Sequence, residues 1–206
     1  MKFWKLASVV AAMVLTTSVN AALIDNGNYT TDNSNNLEWL DLTFTDGLAY
    51  SSALSAASSV EGGGWKYATK QQVNLMWSQV FPADWTPLND GRLYSKDYRE
   101  EVDHFSSLFG LTYEYPTNTQ SFGWFLDDNG NLKMAGVLNV RGSLENSDDR
   151  MFGADHTLDY NDRLETGDSR FGTYLVRTSV VPVPAALWLF SSGLIGLVGF
   201  ARRKKA

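Results

Sequence analysis

The sequence predicts one α+β domain, with mixed helices and antiparallel strands, enclosed by two terminal targeting segments. Three observations support that class. Both ends are free of acidic residues while the middle is rich in them. Helical spacing occupies much of residues 50–109, and strand-like runs flank it. No internal repeat or low-complexity tract interrupts the pattern, and 206 residues suit one domain with accessory segments. The expected divisions are 1–21, 22–178 and 179–206.

Residues 1–21 have the layout of a secretory signal peptide. Lys2 and Lys5 supply the charged start, and Leu6 to Leu15 is the apolar run. Val19 and Ala21 place compact residues at −3 and −1, so signal peptidase is expected to cut between Ala21 and Ala22. The body that follows carries all 23 Asp and Glu against 11 of the 17 Lys and Arg, a formal charge of −12. Such a surface repels nucleic acid and anionic lipid. The absence of cysteine excludes a disulfide frame and a thiol nucleophile.

Within the body, Leu37–Leu42 reads as a strand. Tyr50, Ala53, Leu54 and Ala57 then follow helical spacing within residues 50–60, and Gly62–Gly64 ends that helix. Thr69 and Gln72 form a capping box, in which each side chain satisfies a free N–H of the next helix. Val73, Met76, Trp77 and Val80 give that helix one apolar stripe, and Pro82 marks its exit. A third helix is expected over 97–108, with Asp97 and Glu100 at its start and Gly110 as its stop. Tyr98, Val102, Phe105 and Phe109 form its buried face. Both aromatic stripes read as core. Phe122–Leu126 and Leu132–Leu138 flank Asn129-Gly130, a hairpin signal because both residues tolerate positive φ. Residues 141–170 are polar, with eight acids and four arginines, and read as a loop or an irregular functional excursion. Phe171–Arg177 reads as the closing strand.

The chain ends in a distinct cassette. Val181, Pro182, Val183 and Pro184 precede an uncharged run from Ala185 to Ala201, roughly 25 Å of helix at 1.5 Å per residue. Gly193, Gly196 and Gly199 line one side of it, and Arg202, Arg203, Lys204 and Lys205 form a stop-transfer cluster that stays cytoplasmic. This order of parts closely resembles the PEP-CTERM sorting signal of Gram-negative bacteria, with Val183 where that family usually has Glu. The resemblance implies an exported protein whose precursor is held transiently in the inner membrane and processed by an exosortase, a membrane-embedded transpeptidase. It also implies a final location at the cell surface or in an extracellular matrix associated with exopolysaccharide or biofilm.

Three short stretches of the body, L-E-W-L-D-L-T at 37–43, G-G-W-K-Y-A-T-K-Q-Q-V at 63–73 and G-T-Y-L-V-R at 172–177, resemble another group. This is a set of exported bacterial proteins with a C-type-lectin-like fold, related to the Legionella collagen-like protein C-terminal module. Lys66 stands where that group has Arg, and Tyr67-Ala68 where it has Leu-Pro. The resemblance implies a C-type-lectin-like domain and, for some relatives, glycan binding.

Catalytic signatures are thin. His104 lies off the apolar stripe of its helix and reads as solvated. His156 adjoins Asp155, but no serine nucleophile, G-x-S-x-G or H-E-x-x-H pattern accompanies it. Asp127, Asp128, Asn129 and Asn131 offer hard oxygens around a glycine, as calcium sites do, yet lack the EF-hand spacing and its terminal Glu. The hairpin turn explains them without a metal. Asp148, Asp149, Asp155, Asp159 and Asp162 form a second calcium candidate. Trp65 and Trp85 are candidate exposed contacts for a polysaccharide partner. The expected protein is therefore a non-enzymatic surface or matrix protein that needs no cofactor, with a secreted hydrolase or a calcium-dependent glycan-binding module as alternatives.

Overall fold

The computed structural model describes residues 23–81, 92–94, 98–140, 150–152, 160 and 163–179. The class is α+β, built on two sheets. In the first, β1 (Leu23–Asp25), β2 (Tyr29–Asp32) and β3 (Leu37–Leu40) form an antiparallel meander. The last strand, β11 (Leu175–Thr178), lies between β3 and the two-residue β4 (Lys66–Tyr67). The second sheet runs β10 (Gly172–Thr173), β7 (Asn118–Leu126), β8 (Leu132–Val140), β9 (Arg150–Phe152), β5 (Arg92–Tyr94). β6 (Tyr113–Tyr115) also pairs with β7. Every described pairing between these strands is antiparallel except β10 with β7, which is parallel.

Among the described residues the α-helices are α1 (Tyr50–Ala56), α2 (Lys70–Val80) and α3 (Arg99–Phe109). The capping box of α2 is present in both directions, with Thr69 N–H donating to Gln72 Oε1 at 2.9 Å. Its stripe is buried at Val73, Met76 and Trp77, with Val80 partly covered. In α3, Val102, Phe105 and Phe109 are buried as expected, and Gly110 ends the helix at φ 77°. That helix begins at Arg99, so its first-turn acids are Glu100 and Glu101, while Asp97 and Pro82 lie outside the described residues.

Other boundaries move for identifiable reasons. The strand expected over 37–42 stops at Leu40, because the Asp41 carboxylate accepts Thr43 N–H at 2.8 Å and caps a 3-10 turn, Leu42–Thr45. The helix expected over 50–60 keeps α geometry only to Ala56, then tightens into a 3-10 turn from Ala57 that breaks at a kink, with non-helical backbone at Val60 and Glu61. Gly62, Gly63 and Gly64 all have φ between 75° and 83°, which accounts for three consecutive glycines. Between β7 and β8 the loop is five residues, closed by Gly130 N–H to Asp127 C=O at 3.0 Å. There Gly130 alone takes positive φ; Asn129 does not. The polar stretch 141–170 contains β9, a strand its composition conceals.

The main core lies where both sheets meet α2 and α3. Trp39 and Val176 enter from the first sheet, Phe125, Ala135 and Val137 from the second, and Met76, Trp77, Phe105 and Phe109 from the helices. Phe105 stacks on Trp77 at 4.8 Å, and Trp39 meets Phe109 edge-on at 6.3 Å. The outer face of the second sheet buries Phe122, Trp124 and Met134, with Phe171 stacked on Trp124 at 4.4 Å. β7 is therefore buried on both faces, which explains the unbroken apolar half Phe122–Leu126 and the burial of Thr119, Gln120 and Ser121 before it.

The closing strand predicted over 171–177 is divided at Tyr174, where the chain leaves one sheet and enters the other. Tyr174 N–H donates to Trp124 C=O of the second sheet, and Tyr174 C=O accepts Ala68 N–H beside the first, both at 3.0 Å. Its hydroxyl donates to Ala135 C=O at 3.0 Å. The ring lies over Gly123, where any Cβ would overlap it. Gly123→Ala is expected to cost about 1–3 kcal/mol by overpacking, and Tyr174→Phe about 1 kcal/mol by loss of the buried hydroxyl's hydrogen bond. Urea unfolding at pH 7 measures both; wild-type stability in either variant contradicts this account of the junction.

Candidate functional site

A polar cleft of about 680 Å³ opens where β4 ends and β11 runs on without it. The register sets its floor: Arg177 on β11 stands opposite Glu38 on β3. Arg177 Nε–H donates to Glu38 Oε2 at 2.6 Å, and both side chains are largely buried, at 18 % and 13 % exposure. The same guanidinium donates from Nη1 to Glu61 C=O at 2.5 Å and Gly63 C=O at 3.0 Å. Its carbon lies 4.3 Å from the centroid of the Trp65 ring and 5.4 Å from that of Tyr29.

This arrangement binds the protein to itself. Several polar groups of its lining already serve the fold. Glu38 faces Arg177, the Glu61 carboxylate accepts from Asn28 Nδ2 at 2.5 Å, and Gln72 serves the α2 cap. Lys66 borders the cleft from β4. Among the described residues, no group of three or more His, Asp or Glu is placed to hold a metal ion.

Trp65 is not the exposed platform expected. It is only 5 % exposed, its indole N–H donates to Val60 C=O at 2.8 Å, and Arg177 covers one ring face. The Gly62–Gly64 turn folds the chain back so that Trp65 tucks beneath the first sheet with Leu40, Ala57 and Leu175. The calcium candidates on the β7–β8 loop are brought together, but by the turn itself. Asp127 Oδ1 accepts Asn129 N–H at 2.9 Å and Asn131 N–H at 2.8 Å. Although burial works against its charge, these bonds and nearby Lys133 hold the Asp127 carboxyl below its usual range. His104 is exposed, as expected.

Trp85, His156, Asp148, Asp149, Asp155, Asp159 and Asp162 lie outside the described residues, as do Ala21, Ala22, the Val181–Pro184 motif and the basic cluster 202–205. Among the described residues no helix is long and apolar enough to cross a membrane; the run 185–201 is not among them.

Sequence reasoning missed the Glu38–Arg177 pair, although opposite charges interrupting two apolar strands, L-E-W-L and L-V-R, were the available signal. It also missed Asp46. Burial pushes the Asp46 carboxyl up to about 6, with the Asp168 charge adding to the effect and Gly47 N–H opposing it. Asp168 itself is held low, mainly by its hydrogen bonds from Arg170 Nε (3.1 Å) and Nη2 (3.0 Å). Two carboxyls driven apart resemble an acid–base pair, but the bidentate Arg170 occupies the member that would act as base.

Compared with protein-family models, curated proteins and solved structures, the chain matches none of them.

Two outcomes follow from these charges. Arg177→Ala, which leaves Glu38 part-buried and unpaired, is expected to lower unfolding stability by about 3 kcal/mol, with Arg177→Lys intermediate because it keeps charge but not the planar fork. Equal stability of all three forms in urea refutes the clamp. For Asp46 the folded state prefers the protonated acid, so its contribution to stability falls as pH rises from the ordinary carboxyl value through about 6. Asp46→Asn is therefore expected to raise Tm at pH 7, with the gain shrinking as pH falls toward 4. A gain unchanged over that interval contradicts the burial assignment.

Proposed function

We propose that this chain is an exported cell-surface or extracellular-matrix protein, delivered by an exosortase-type sorting signal and without catalytic activity of its own. One observation carries the reading: neither expected processing point falls within a described strand or helix. β1 begins at Leu23, two residues beyond Ala21, and β11 ends at Thr178, three residues before Val181. Ser179 N–H still donates to Asn36 C=O at 2.9 Å, which ties off the last strand inside the boundary. Removal of both flanking segments would leave every described strand and helix whole.

The body supports the non-enzymatic side of the proposal. Its cleft is floored by a charge pair and backbone carbonyls that already satisfy one another. The finer C-type-lectin-like assignment belongs to the same proposal. Its support is that the three resembling stretches come together, since β3, β11 and β4 are adjacent in one sheet. The acidic body suits export and keeps the partner away from nucleic acid; an uncharged polysaccharide fits it better than an acidic one.

Intact mass of the protein recovered from an exosortase-positive host and from an exosortase-deleted strain tests the sorting proposal. The expected product in the first begins at Ala22 and has lost the segment after the Val181–Pro184 motif, while the second retains it. A mature form still ending at Ala206 in the exosortase-positive host overturns it.

A further inference from the structure

We propose that Tyr113 and Tyr115, with the Asp168–Arg170 pair beside them, form a binding platform for a neutral pyranose polysaccharide. The exposed large apolar side chains among the described residues are Ile24, Phe44, Leu75 and these two tyrosines. Only the tyrosines stand together. They are 38 % and 57 % exposed, their ring planes differ by 4°, and their centroids lie 6.5 Å apart. At that spacing and exposure, part of each ring surface is open to solvent.

The platform is rigid. β6 is held in register against β7, with Tyr113 opposite Gln120 and Tyr115 opposite Asn118. Thr112 Oγ1, next to Tyr113, and Gln120 Nε2, across from it, both donate to Arg170 C=O, at 2.8 and 2.9 Å. Those two bonds set Arg170 beside the tyrosines. Its side chain, 53 % exposed, is braced by the bidentate contact with Asp168.

The ligand class follows from the groups presented. A pyranose ring has a flat C–H face for an aromatic surface and a rim of hydroxyls for hydrogen bonding. Here the phenols, a guanidinium and a carboxylate meet that rim. A proline-rich peptide would use the ring faces but offer the charged pair little. Uronate or sulfated polymers are opposed by the −12 formal charge of the body. The role of such a site rests on the surface-protein reading above, since that is where a matrix polymer would be met.

Affinity electrophoresis of the protein recovered from cells tests the platform, using gels that contain hydroxyethylcellulose or glycol chitin, with alginate as the anionic polymer. Retardation is expected in a neutral gel and none in alginate. The Tyr113→Ala/Tyr115→Ala variant is expected to bind about tenfold more weakly. The Tyr113→Phe/Tyr115→Phe variant, which keeps both ring faces, is expected to retain most of the binding. Far-ultraviolet circular dichroism checks that both variants fold. The platform is refuted by no retardation in either neutral gel, by equal retardation of the alanine variant, or by decaproline binding at these tyrosines in place of both glycans. Because the mass measurement reads sorting on the same sample, failure of the platform is distinguishable from failure of the sorting proposal.

Discussion

The burial of Tyr174 is the constraint on which the two sheets depend. Its backbone is shared between them, donating to one and accepting from beside the other, and its ring fills the space that Gly123 leaves. The hydroxyl reaches a third strand through Ala135 C=O. Trp39 packs edge-on against the same ring at 6.1 Å, so the main core is organised around a side chain whose backbone is the seam. A residue of different size or polarity would leave a void, a clash or an unsatisfied carbonyl in a region packed on every side.

Arg177 repeats this logic three residues later, with charge in place of bulk. One guanidinium closes the Glu38 carboxylate, two carbonyls of the glycine-rich turn and the face of Trp65. The strongest concentration of charge in the described cleft is thus architectural. The exposed aromatic surface is elsewhere, on the short strand β6, where two phenols stand beside an arginine–aspartate pair that is itself closed. The separation is physically sensible. Charges needed to close a fold are poor ligand groups because their partners are already chosen, whereas exposed rings on a braced edge remain available.

How much of this was legible in the sequence depended on how local each signal was. The α2 capping box, the α2 and α3 stripes and the Gly110 stop were readable because each is set by residues three or four apart. The β7–β8 hairpin was readable in outline, but its loop was misjudged because the Asp127 side chain, rather than a positive φ at Asn129, organises it. β9 was hidden because short, flanked strands in a polar stretch have no periodicity of their own, and the 3-10 turns after β3 and α1 follow from capping and glycine geometry. Trp65 was misplaced for a different reason. Whether a tryptophan after three glycines faces outward or inward is decided by Arg177, distant in sequence. Tyr113 and Tyr115 were passed over because a Y-E-Y triplet is indistinguishable from any alternating strand until its open edge is known.

The position of β11 has a temporal consequence. The first sheet receives its fourth strand from the end of the body, and the Glu38–Arg177 contact spans 139 residues. Until that strand has been synthesised, β3 and β4 have no neighbour to join them, and Tyr174 cannot fasten the two sheets. Closing a contact of that sequence separation carries an entropy cost that local pairings such as the β7–β8 hairpin do not. The first sheet is completed, and joined to the second through Tyr174, only when this final strand is released. On the proposed export route, a sheet that closes only with its last strand would close after the body has crossed.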